Sequence, residues 1–118
     1  MAFKNLKVLI PHTFSVYGEL TAGTLPGFFV KVPSGSVATL KSMRYKLASG
    51  TSIDLTIQIN GSDLTSPDYD AVACDSVAAG EVANDKALAN NDKIDLKLES
   101  PTGTPSGLSC TVFVEYQF

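Results

Sequence analysis

The chain has no tryptophan, one histidine and only two cysteines in 118 residues. Each scarcity closes a class of function. A Ser-His-Asp or Cys-His nucleophile arrangement would have to use His12, which follows Pro11 with no nucleophile motif nearby and reads as a surface or interface histidine. A zinc site needs more His and Cys than the chain owns. Cys74 and Cys110 set no disulfide framework, and in a reducing compartment they read as free thiols. Cys110 falls in the series Cys110, Val112, Val114, Tyr116, Phe118, so it reads as a small core residue. No apolar run approaches the roughly 20 residues that span a bilayer, so no membrane partner is expected. The N-terminal "MAFKNLKVLIPH" has Lys4 and Lys7 before "VLI", but the run stops at Pro11 and lacks a signal peptide's apolar region and cleavage site. Cytoplasmic synthesis is therefore expected.

Catalytic and cofactor parts are missing too. The "GTLPG" and "SPTGTPSG" loops lack the Lys, Ser/Thr and following helix of a phosphate cradle. "SPDYD" with nearby Asp75 is rich in oxygen ligands, but its spacing matches no established calcium loop. The expectation is a non-enzyme without cofactor or metal.

What is present is an ordinary folded composition, 44% apolar against 18% charged, of a length that makes one domain. The net charge of −3 argues against nucleic-acid binding through phosphate neutralisation. The sign is unevenly spread: residues 1–59 carry six Lys/Arg and two acids, residues 60–118 three Lys and ten acids. The halves either interleave as a mixed solvated surface or form opposed patches that favour contact between subunits.

Period two dominates the chain. "TSIDLTIQINGSDLT" alternates Ile53, Leu55, Ile57 and Ile59 with polar residues, and "KIDLKLES" repeats the rule with Ile94, Leu96 and Leu98. Asn60-Gly61 is a strong type I′ hairpin signal. Asp54 and Asp95 alternate with apolar neighbours, so both are expected on an exposed face rather than as a catalytic pair. "FFVKVP" (28–33) after a "GTLPG" turn, and "SVATLKSMRYKLAS" (36–49), are further strands. "CDSVAAGEVA" passes only for a weak helix, because Gly80 interrupts it. Seven or so short strands with regular turn signals imply a single antiparallel β-sandwich or jelly-roll-like barrel, all-β in class.

Two segments exceed that pattern. Leu40 and Met43 cannot share a face of a regular strand, which implies either a bulge or cover on both faces. The first 24 residues hold more apolar side chains than an edge strand needs. They either complete the sandwich (residues 14–118) or include an N-terminal arm, residues 1–13, that packs on another subunit.

Pro26-Gly27-Phe28-Phe29, the Val32-Pro33-Ser34-Gly35 turn, the basic strand from Lys41 to Lys46, Asn60-Gly61, the turn from Leu88 to Asp92 and the closing strand from Cys110 to Tyr116 follow one another in a recognisable order. The chain resembles small β-sandwich accessory proteins of tailed-bacteriophage virions, of the capsid-decoration or minor-tail type, over most of residues 14–64 and 86–118. The resemblance implies a non-enzymatic virion protein made in the host cytoplasm. Its partners would be other virion proteins, the major capsid protein before tail proteins, and itself as a homo-oligomer, a trimer by analogy. On this reading Phe3, Leu6, Val8, Ile10 and Phe14, with Met43, Arg44 and Tyr45, form the interface, and deleting residues 1–13 abolishes particle binding but spares the fold. The other reading is a tail-tip or fibre module that binds a receptor or glycan, with Tyr69 of "SPDYD" as the stacking aromatic and Tyr17 as a second candidate.

Overall fold

Alternating apolar side chains have one stable use, which is to face another layer. The computed structural model describes residues 6–64 and 69–118 and builds such layers from ten strands. They are β1 (Lys7–Glu19), β2 (Gly23–Phe29), β3 (Val37–Ser49), β4 (Ser52–Ile59), β5 (Ser62–Asp63), β6 (Val72–Asp75), β7 (Gly80–Val82), β8 (Lys86–Leu88), β9 (Lys93–Thr102) and β10 (Ser106–Gln117). One antiparallel sheet has the order β1-β10-β3, with β7 and β8 dividing the far edge of β3. The other has the order β2-β9-β4, with β5 and β6 dividing the far edge of β4. Counting each divided edge once leaves four strand positions per sheet, and most connections cross between the sheets. This is jelly-roll topology.

The inner faces supply the core. Leu40, Met43, Leu47, Val112 and Val114 of the first sheet meet Ile53, Leu55, Ile57, Ile94 and Leu96 of the second, all fully buried. Cys74 and Cys110 are both free and buried. Burial pushes the Cys110 thiol up to about 12 and the Cys74 thiol up to about 11, so both stay protonated and inert near neutrality.

The echo between the two alternating segments has a geometric meaning. β4 and β9 are antiparallel neighbours, with Leu55 opposite Leu98, Ile57 opposite Leu96 and Ile59 opposite Ile94. Asp54 stands opposite Glu99 and Asp95 opposite Gln58. The two aspartates are thus four register positions apart, roughly 13 Å along the strands, which is no dyad.

Asp95 also corrects an expectation. It is buried, not exposed, and accepts a 2.8 Å hydrogen bond from the Gly27 N–H, with Lys93 Nζ 3.8 Å away. The cause lies in β2, whose pairing with β9 shifts register between Leu25 and Phe28. The expected "GTLPG" turn is instead this bulge inside the strand, and Pro26 is tolerated because β2 pairs only with β9. The bulge leaves Gly27 out of the β2–β9 register, and Asp95 provides the acceptor for its backbone N–H. A Cβ on Gly27 would collide with the Ile94 carbonyl oxygen and the Phe14 ring.

The strand expected over 28–33 is shorter than its alternation suggests, because β2 ends at Phe29 and residues 30–33 lie in the connection to β3, while other local expectations hold. Asn60 and Gly61 take φ of 55° and 82°, and Ile59 pairs with Ser62 across the two-residue turn. In β3 the register slips: Phe113 faces Ser42, but Val114 faces Leu40. Lys41 is the extra residue of a bulge, which lets both Leu40 and Met43 point inward. The stretch that passed for a weak helix is β6, a turn and β7. Asp75 closes the turn by accepting the N–H groups of Val77 and Ala78. Lys41 pairs with Asp85 at 3.0 Å and Arg44 with Glu81 at 3.4 Å, so basic and acidic halves interleave in space at these points. Such exposed pairs contribute little to stability.

Residues 7–13, read as part of an arm, are the first half of β1 and pair with β10 from Gln117 to Thr111. Their pairing makes them part of the first sheet, so deleting residues 1–13 would strip half of the β1–β10 ladder. Residues 1–5, with Phe3, lie outside the described residues.

The Gly27–Asp95 contact is open to a graded test in urea. Gly27→Ala is expected to destabilise by about 3 kcal/mol or more through overpacking, and Asp95→Ala by about 1–3 kcal/mol through the stranded N–H. Asp95→Asn, which keeps an acceptor, is expected to cost less than Asp95→Ala. Equal losses for the two Asp95 variants would remove the hydrogen bond from the account.

Candidate functional site

Burial along the inner face of β1 declines toward its start. Phe14 is buried, His12 half-buried, and Ile10 and Val8 are each 38% exposed. These four share one face by period two. On the neighbouring strand Val114 is fully buried and Tyr116 nearly so, while Phe118 beyond it is 43% exposed. At this corner the first sheet extends past the cover that the second gives it. Val8, Ile10, Tyr116 and Phe118, with Pro33 and Lys31 from the β2–β3 connection, line an open and mostly apolar groove of about 290 Å³. The Phe118 N–H bonds to the Leu6 carbonyl at 2.9 Å, which holds the strand end in place. Leu6, about half exposed, shares the face of Val8 and Ile10 by period two, whereas Leu9, equally exposed, lies on the opposite face of β1.

The expected interface residues therefore divide. Leu6, Val8 and Ile10 come together at the exposed corner. Phe14 and Met43 do not: both are core residues of this chain and leave no side-chain surface for a partner. Arg44 is exposed and tied to Glu81. Tyr45 is half-buried, its ring against Gly80, and lies by a second open groove of about 250 Å³ with Arg44, Lys46, Ser109, Thr111 and Phe113. Phe118, Tyr116 and Pro33 were missed as corner residues. Alternation puts Tyr116 and Phe118 on the inner face, but no sequence signal says where the opposite sheet stops.

Tyr69 corrects the glycan reading. It is fully buried, and its hydroxyl donates to the Asn84 carbonyl at 2.6 Å while accepting the Asn84 N–H at 3.1 Å. Its backbone carbonyl receives the Ile57 N–H at 2.9 Å. The ring anchors the stretch that leads into β6 onto the sandwich and presents no stacking face. Nearby, Thr56 accepts the Ala71 N–H at 2.9 Å, which accounts for a buried hydroxyl on an otherwise apolar strand. Tyr17, 95% exposed, is an aromatic on the surface. His12 is half-buried, its ring stacked on Phe28 with centroids 3.7 Å apart.

No family model and no curated protein matches the chain. Solved structures do. A chain of the cyanophage Pam1 capsid asymmetric unit superposes with a TM-score of 0.64 at 16% identity, over 100% of this chain and 89% of that one. A chain from the acid-stable capsid of Helicobacter pylori bacteriophage KHP30 gives 0.58 at 10% identity, over 97% and 93%. A chain of infectious bursal disease virus, Gx strain, gives 0.53 at 9% identity, over 98% of this chain but 34% of that one. At such identities what is shared is the fold, an all-β jelly roll found in viral capsid chains.

If Tyr69 is an anchor, Tyr69→Phe is expected to cost about 1–3 kcal/mol, because it strands both Asn84 backbone groups. Tyr69→Ala is expected to cost about 3–5 kcal/mol. Denaturant melts check both, and a Tyr69→Ala protein of unchanged stability would contradict the burial.

Proposed function

We propose that the chain is a non-enzymatic structural protein of a tailed-bacteriophage virion, a capsid decoration or cement subunit. The observation that carries the reading is the fold it shares with two phage-capsid chains across nearly their whole length. Because this chain covers 89% and 93% of them, those chains are close to it in size and consist of little beyond the sandwich. A subunit of that kind suits addition to a repetitive lattice.

Docking is assigned to the exposed corner. Leu6, Val8 and Ile10, with Phe118, offer apolar area that a partner surface can cover. Burial at about 25 cal/mol per Å² makes even a few hundred Å² worth several kcal/mol before ordering costs. The major capsid protein is the proposed partner, with symmetric self-association of the subunit on the lattice. The tail-tip or fibre alternative has lost Tyr69 and rests on Tyr17 alone.

The test uses purified particles that lack the protein. Added wild-type chain is expected to bind capsids saturably, and Ile10→Asp combined with Phe118→Ala to reduce occupancy at least tenfold with its melting temperature unchanged. Binding to tails instead of capsids, or to glycans in a manner lost with Tyr17→Ala, would overturn the proposal in favour of the alternative.

A further inference from the structure

The one histidine occupies an unusual place. His12 lies on the inner face of β1 between Ile10 of the open groove and Phe14 of the closed core. Its ring lies flat on Phe28 of β2, with centroids 3.7 Å apart and planes 8° from parallel. Phe28 in turn sits 6.5 Å from Phe14. β1 and β2 are edge strands of opposite sheets, so this stack closes the seam between the sheets on that side. Nε2 of His12 is buried and has no hydrogen-bond partner among the described residues.

We propose that the His12–Phe28 stack is an acid-sensitive clasp, closed while the imidazole is neutral and loosened when it takes a second proton. A neutral ring can leave Nε2 as a bare acceptor. The imidazolium must place an N–H there, buried and without an acceptor, and must carry its charge in the seam.

The surroundings offer little to offset that charge. β2 contains no ionisable residue. The inner face of β10 brings Val112 opposite His12, with Cys110 and Tyr116 further along. On β9 the ionisable groups beside Ile94, the partner of Phe28, are Asp95, already engaged by the Gly27 N–H, and Lys93. Burial, which disfavours the charged form, holds the His12 pKa below its ordinary 6.5, and no neighbouring charge opposes it. Because the folded-state pKa is depressed, the stabilisation is complete above about pH 6.5. It is lost as the pH falls through that value toward the folded-state pKa.

Strand β1 is held on one side only, by β10. When the stack loosens, the seam opens beside Phe14, at the inner end of the apolar corner. Acid therefore reaches the surface assigned above to docking, although the clasp itself does not depend on that assignment.

With a single histidine in the chain, the window from pH 7.5 to 5.0 isolates this group from the carboxylates. Proton NMR of the wild-type protein is expected to show His12 titrating with a midpoint below 6.5. The melting temperature is expected to fall by about 2–5 °C across the window, with faster amide exchange in β1 than in β4. His12→Phe, which keeps a stacked ring without a proton site, is expected to flatten the profile. A midpoint at or above 6.5, or an equal acid loss in His12→Phe, would overturn the clasp. The NMR titration decides even if the variant fails to fold.

Discussion

The mutual burial of two inner sheet faces underlies every other feature of this molecule. Each sheet alone would expose a row of aliphatic side chains, and each is stable only because the other covers it. Ile57 and Leu96 from one side and Val112 and Val114 from the other are fully buried for that reason. Turns, bulges and polar anchors are arranged so that no gap opens in this contact. Lys41 is looped out of register so that both Leu40 and Met43 stay inside.

The polar groups within the structure follow from the same requirement. A strand that bulges to keep its side chains inward leaves backbone groups unpaired, and each then needs a partner. Asp95 serves the β2 bulge at Gly27, Thr56 serves Ala71, and the Tyr69 hydroxyl serves both backbone groups of Asn84. Asp95 and Tyr69 were the two considered for function in sequence, one as half of a carboxylate pair and the other as a loop aromatic. In the fold they are fastenings. The docking surface proposed above lies instead where mutual cover runs out, at the corner of Val8, Ile10 and Phe118, and the proposed clasp lies at the histidine between that corner and the core.

Much of this was legible in sequence. The alternation of Ile53 to Ile59 and of Ile94 to Leu98 specified strands with one buried face, and Asn60-Gly61 specified the hairpin. The conflict between Leu40 and Met43 called for either a bulge or cover on both faces, and the register slip shows the bulge. The site was less legible. Leu6, Val8 and Ile10 were read as apolar side chains beyond what an edge strand needs, and all three are exposed in the fold. Phe14 and Met43 were grouped with them because apolar character does not reveal which residues the opposite sheet covers. Tyr69 was misread because a short polar stretch looks like an exposed loop whether or not its aromatic folds inward.

Period, turn chemistry and the scarcity of histidine and cysteine determined, from sequence alone, an all-β chain poor in catalytic parts. These are local properties, set by backbone geometry within a few residues and by the presence or absence of side-chain chemistry. The partnership of β1 with β10, the inward turn of Asp95, the stacking of His12 on Phe28 and the uncovered corner were decided only in the tertiary structure. Each joins residues distant along the chain, and each depends on where one sheet ends above the other. Alternation says which way a side chain points; only the second layer says whether anything is there to meet it.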